Sequence, residues 1–311
     1  MRIRNAFRIL ISNASVIYKA ALFRLITASV AVLIIYFTLY NDLLHLFQSD
    51  QAHALWDAII HIFTDFVKGY GIDIDELPTA FEGFIAMLRS NVSIFTVVGI
   101  KTSACIFFYN VILRMGNYAV SSLYSGYMSA GTKFSLIPTL FANLGKAFLY
   151  AIIIVPIVML FDTLVILLGA LIGVYGIRLI SIFAIILSLI FIIFAISFKF
   201  TVFSFFLPNM VVENQSVGQA FVNTFKNRSN LKGLLTSYSF LVMLIFYVNV
   251  SVAVFTLGAG LVVSLPITTI MTLLVSLCDY YNHTGKKYYV DFDTVVIPKQ
   301  LQENAEYLKY M

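Results

Sequence analysis

AFLYAIIIVPIVMLFDTLVILLGALIGV, residues 147–174, is the stretch on which the fold of this chain turns. It carries one charged residue, Asp162, and as a helix it would run about 42 Å at 1.5 Å per residue. A bilayer's hydrocarbon layer is about 30 Å thick, so a helix of this composition can cross it. Five further stretches follow the same pattern, at about 24–46, 93–114, 178–206, 235–256 and 259–281. The chain is 60% hydrophobic and 11% charged, against about 25% charged residues in a soluble globular domain. A water-soluble fold of this length has no means of hiding so much apolar surface. The first stretch lies too far in and is too long for a signal peptide, and no small-residue cleavage site follows it, so it is kept as a span. The expected fold is all-α and polytopic: one transmembrane domain over residues 1–282 with six spans, then a cytoplasmic tail over 283–311.

The basic residues give the expected orientation, because Lys and Arg accumulate on the cytoplasmic side. Arg2, Arg4, Arg8, Lys19 and Arg24 precede the first span. Arg114, Lys133 and Lys146 lie between the second and third, Lys226, Arg228 and Lys232 between the fourth and fifth, and Lys286, Lys287, Lys299 and Lys309 after the sixth. The other side has only Lys68, Arg89 and Arg178, and an acidic loop over 47–92. Both termini are therefore expected inside. The net charge of +5 forms a basic inner rim suited to anionic headgroups rather than a nucleic-acid footprint.

A threefold unit is written into the chain, an amphipathic interfacial helix followed by a membrane hairpin. NAFRILISNASVIYK at 5–19 parallels QAFVNTFKNRSNLK at 219–232, and PTLFANLGKAFL at 138–149 again sets an aromatic, an Asn and a Lys before a span. Arg4, Arg8 and Lys19 share one helical stripe, with Lys226, Arg228 and Lys232 as their counterparts; all six are expected at lipid headgroups. Ser216 and Gln219 have the spacing of a capping box. The long first connection should form two helices broken at GYGIDIDELP, with Trp56, Ile59, Ile60 and Phe63 on an apolar face. In the tail, YYVDFDTVVIP at 288–298 alternates like a strand, and the residues after it read as a short polar helix.

Charge inside hydrocarbon is costly and tends to serve a function. Lys101 and Asp162 fall at similar depth in antiparallel spans and are expected to pair, either fixing helix register or marking a polar pathway. Lys199 is expected to snorkel to the inner interface, and Asp279 to be solvated there. His53, Asp57, His61 and Asp65 recur every four residues on one helix. Neighbouring pairs can share a zinc-like ion; as a bland alternative, the four form the wet stripe of an amphipathic helix. Gly169 and Gly173 are spaced for close helix contact, and Pro156 and Pro266 interrupt their spans. Cys105 and Cys278 read as small packing residues. The sequence has no HExxH, GxSxG, P-loop or dinucleotide fingerprint, so no enzyme and no cofactor is expected.

FSFFLPNMVVENQSVGQAFVNTFKNRSNLKG, residues 203–233, resembles a segment recurring in a loose group of bacterial membrane proteins. The group includes the membrane domain beside glycerophosphodiester phosphodiesterases and several uncharacterised six-span families. The matching positions are Pro208, Glu213, Ser216, Ala220, Phe221, Ser229, Lys232 and Gly233. They cover about a tenth of the chain, and the motif is structural rather than catalytic. The soluble phosphodiesterase domain has no counterpart here, so no activity is carried over. The resemblance implies a multi-pass protein of a bacterial cell membrane. The expected role is a non-enzymatic accessory or scaffold of the envelope or of lipid handling, in contact with the bilayer and with another membrane protein. The alternative is a small transporter or permease subunit using Lys101 and Asp162.

Overall fold

The computed structural model describes residues 2–68, 75–90, 92–180, 183–226, 231–291 and 293–297. Nearly all of them are helical. In chain order the long helices are α2 (Ala14–Phe47), α5 (Val92–Ala130), α7 (Leu144–Ile180), α8 (Phe183–Phe203), α11 (Leu231–Phe255) and α12 (Leu261–His283). Each contains a segment long and apolar enough to span a membrane, six in all among the described residues. The shorter helices are α1 (Arg2–Ser12), α3 (Asp50–Lys68), α4 (Glu76–Ser90), α6 (Leu136–Ala142), α9 (Phe206–Val212) and α10 (Val217–Lys226). The protein is thus an all-α multi-pass membrane protein. The helix break expected at GYGIDIDELP falls between α3 and α4, and residues 69–74 of it lie outside the described residues.

Three boundaries of the spans differ from the sequence expectation by six residues or more. The first span begins at Ala14 rather than near 24, and since α1 ends at Ser12, Lys19 lies on α2 and not on one helical stripe with Arg4 and Arg8. Helix α5 does not stop at Arg114 but continues to Ala130; residues 115–130 contain no proline, and Gly116 and Gly126 are carried within the helix. Gly131 ends it, with φ +68° and its N–H bonded to Tyr127 O at 2.8 Å, the left-handed residue that glycine fills without strain. The fourth apolar segment continues past residue 206 through α9 to Val212, six residues further than expected.

The chain divides into two compact units. Unit 1 takes residues 1–27, 110–166 and 190–311, and unit 2 takes 28–109 and 167–189. In unit 2, α3 packs against α4. The α7 and α8 segments of unit 2 approach closely where the glycines were expected to permit it. Ser188 Oγ donates to Gly169 O at 2.6 Å, and a Cβ on Gly176 would stand 2.8 Å from the Ala184 Cβ.

In unit 1, α1 packs on α12, burying Asn5, Ala6, Ile9 and Leu10. Its apolar face is therefore occupied by protein, while Phe7 and Ile11 stay exposed on another side, as does Tyr18 at the start of α2. The described part of the tail docks on the same helix. It is a hairpin rather than one strand, β1 (Tyr288–Tyr289) pairing antiparallel with β2 (Val295–Val296). The Asp291 carboxylate accepts the N–H groups of Asp293 and Thr294 and so makes the bend. Tyr288 is buried and accepts hydrogen bonds from Asn5 at 2.9 Å and Asn282 at 3.4 Å; burial pushes its hydroxyl up to about 12. The polar helix expected after residue 298 lies outside the described residues.

The threefold order is present in the elements: short helices α1, α6 and α10 come before long helices α2, α7 and α11. The first two junctions are alike in detail. Asn13 and Asn143 each sit between the short helix and the long one, with N–H to the carbonyl three residues back at 3.3 Å. Each also turns its side-chain amide onto the carbonyl four residues back, at 3.2 and 2.9 Å. In the written alignment the third junction is Asn227, outside the described residues.

Residues 206–226 are the hub of unit 1. Phe206 to Met210 are buried. Asn209 accepts from the Tyr280 hydroxyl at 2.8 Å and reaches Ala220 O and Thr224 Oγ1 on α10, both at 3.4 Å. Glu213 receives Lys286 at 2.6 Å and Tyr280 at 3.2 Å. Asn214, at φ +54°, turns the chain into α10. There Ser216 N–H bonds Gln219 Oε1 at 3.3 Å and Gln219 N–H bonds Ser216 Oγ at 3.5 Å, both arms of the capping box.

Candidate functional site

Helices α7 and α8 are consecutive and antiparallel, so residues equidistant from the turn between them meet at one depth. Asp162 and Lys199 are such a pair. Lys199 Nζ lies 2.5 Å from Asp162 Oδ1, with side-chain exposures of 11% and 39%. The sequence pointed Asp162 at Lys101 and sent Lys199 to the interface; the structure gives Asp162 to Lys199. The reason is the length of the fourth apolar segment. Because that segment runs Phe183–Val212, Lys199 stands near its middle, too deep to snorkel, with a carboxylate one helix away. Lys101 is an exposed residue of α5 in unit 2.

Lys199 also lines a cavity of about 80 Å³ within unit 1. Arg114 enters the same cavity from α5, and its guanidinium sits against the Tyr150 hydroxyl. The longer α5 puts Arg114 near the middle of the segment Thr96–Ala130, where the sequence had placed a loop cation. Arg114 is close enough to Lys199 for the two to repel. Tyr238 adds a phenol to the lining, and apart from Ser204, Thr272 and Ser276 the rest is mostly apolar, including Ile154, Val158 and Leu273. The serine and threonine hydroxyls donate to backbone: Ser276 to Ser204 O, Thr272 to Thr268 O at 2.9 Å, Ser204 to Thr201 O at 2.9 Å. The charged inventory is two cations with one carboxylate behind them. Such a site suits an anion and repels a cation.

The remaining expected residues behave differently. His53, Asp57 and His61 are exposed on α3 and Asp65 is half-buried. Among the described residues no group of three His, Cys, Asp or Glu side chains is placed to hold a metal ion. A step of four residues along one helix separates successive side chains by a full turn, so only neighbours meet. Arg4, Lys19, Lys226 and Lys232 are exposed, while Arg228 lies outside the described residues. Arg8 is taken by the tail, pairing with Asp291 at 2.5 Å and reaching Thr294 Oγ1 at 3.3 Å. Asp279 is buried rather than solvated, and Cys278 is buried as expected. Arg24 lies inside the first span, where its guanidinium joins Asn117 at 2.7 Å to Thr269 at 2.8 Å.

Sequence reasoning missed Arg114 and the true partner of Asp162. For Asp162 the signal was arithmetic, the equal distance of residues 162 and 199 from the point where α7 gives way to α8, which lies a few residues beyond the GVYGIR at which the sequence suggests a turn. For Arg114 it was the helical spacing of Tyr118, Ser121, Ser125 and Ser129 beyond it, which has no break.

Comparison of the chain with protein-family models, with curated proteins and with solved structures found no match in any of the three.

Proposed function

We propose that this integral membrane protein is a non-enzymatic component of a bacterial cell envelope that handles an anionic lipid, with both termini on the cytoplasmic side. The observation that carries the proposal is the cation-bearing, mostly apolar cavity among the spans of unit 1. Charged groups set in apolar walls suit an amphiphile with its head inside and its tails along the helices. The resemblance of residues 203–233 to envelope membrane proteins points the same way, and the positive-inside distribution supports the orientation. The test is lipid mass spectrometry on protein purified in mild detergent. An anionic phospholipid should be enriched over its share of the source membrane. A lipid profile identical to the bulk membrane would overturn the proposal.

A second reading has its own support. The Asp162–Lys199 pair lies mid-span beside the cavity, where a small transporter or permease subunit would carry a coupling site. On that reading Asp162→Asn abolishes solute uptake by reconstituted vesicles even at temperatures well below its lowered melting point, where the protein is folded.

A further inference from the structure

We infer that Arg114 and Lys199 form a binding site for a phosphate-type oxyanion bearing about one negative charge, with Asp162 as the built-in counter-ion that sets that charge. The inference deepens the lipid-handling proposal and rests on it only for the source of the phosphate, a lipid headgroup or the free ion.

Chemistry and shape both bear on the assignment. The two cations reach one cavity from different helices, α5 and α8. A guanidinium offers a planar fork matched to two phosphate oxygens, and an ammonium adds a compact point charge. Tyr150 extends the donor set, since a hydroxyl that sits against Arg114 still has its own proton to give. Ser204, Thr272 and Ser276 spend their protons on backbone carbonyls, so they can sit beside an anion without demanding it as an acceptor. Charge balance selects the valence. Asp162 neutralises Lys199, while Arg114 faces a tyrosine, which brings no compensating charge. One excess positive charge among membrane spans is costly, and a singly charged oxyanion removes it where a dianion would reverse it. The volume of about 80 Å³ admits a phosphate group with water and excludes acyl chains, which would instead follow the apolar part of the lining.

The experiment is isothermal titration of the whole detergent-purified chain with two probes, inorganic phosphate and dihexanoyl phosphatidylglycerol. Arg114→Gln and Lys199→Gln should each weaken binding at least about tenfold, the loss expected for one charge-assisted hydrogen bond. Asp162→Asn should tighten binding by about tenfold, because it removes the anion that competes for Lys199. Binding of both probes, or of the lipid alone, with these variant effects supports the site and the lipid source together. Binding of phosphate alone with the same effects supports the site and removes the lipid proposal. Lipid binding that none of the variants changes leaves lipid handling standing and overturns the site. Binding of neither probe overturns it too. If Arg114→Gln and Lys199→Gln fail to fold, Asp162→Asn decides: unchanged or weaker affinity overturns the inference.

Discussion

Units 1 and 2 are cut from the same apolar sequence and use their polar residues in opposite ways. Among the described residues every buried polar or charged side chain belongs to unit 1. Asn5, Asn117, Asn209, Thr224 and Asp279 are examples, and several tie one helix to another. In unit 2 the buried described side chains are few and apolar, such as Leu39, Ala58 and Met87, and its eye-catching ionisable residues are exposed or, for Asp65, half-buried. A hydrophobic driving force between helices is weak where the surroundings are themselves apolar, so packing and interhelical hydrogen bonds must fix the arrangement. Unit 1 has many of both; unit 2 combines small-residue contacts with the Ser188 to Gly169 hydrogen bond between α7 and α8. A conspicuous polar residue in an apolar chain is therefore no guide to a site. What distinguishes Lys199 from Lys101 is that other helices surround it.

The contrast can be broken most sharply at the ion pair. Asp162→Leu leaves Lys199 without its carboxylate inside the spans. Removing one partner of a fully buried pair costs about 3–5 kcal/mol; the partial exposure of Asp162 puts the expected loss nearer about 2–3 kcal/mol. Lys101→Leu, at an exposed site in unit 2, should shift stability by under about 1 kcal/mol. Thermal unfolding in detergent compares the two, and equal losses would erase the distinction drawn here. Next in size is Asn209→Ala, which takes away the acceptor of Tyr280 and the donor to α10. About 2 kcal/mol should be lost, read from the same melts.

Unit 2 has its own sensitive point in Gly176. Gly176→Ala puts a methyl 2.8 Å from the Ala184 Cβ and should destabilise by about 1 kcal/mol. Gly173→Ala meets only Ser188 at 3.7 Å, an ordinary contact, and should be silent.

Smaller still is the clamp between tail and α1. Hydrogen bonding from Thr294, helped by Arg8, holds the Asp291 carboxyl below the usual carboxylate range. A carboxyl depressed in the folded state favours folding above its unfolded pKa of about 3.9, and the benefit is lost as pH falls through the lower folded value. Proteolysis after Lys286 or Lys287 should therefore stay slow through neutral pH and rise only in strong acid. Arg8→Gln should raise it slightly, less so at high salt. Smallest of all is His61→Ala, for which neither stability nor the response to added zinc should change.

Several features were legible in the residues because they depend on local periodicity and composition. Apolar run length gave the six segments, and the capping box at Ser216 and Gln219 is a four-residue pattern that closes on itself. The short helices before α2, α7 and α11 also follow from local signals, as do the junction asparagines, whose bonds reach no further than the preceding turn. The tail was harder to read. Alternation in YYVDFDTVV suggested a strand, and only the side chain of Asp291, folding back on its own backbone, makes a hairpin of it. Equal spacing along one helix lines His53, Asp57, His61 and Asp65 up without bringing three of them together, so the stripe by itself does not mark a closed metal site.

By itself, then, this sequence determined that the chain is helical, multi-pass and bounded by six apolar segments, since transfer of side chains from water to hydrocarbon is a property of each segment alone. Which charges meet was decided by tertiary structure. Lys199 pairs with Asp162, Arg114 enters their cavity and Arg8 is drawn to the tail through how far each helix runs before it turns and which face it gives to its neighbours. Those are quantities that composition averages away.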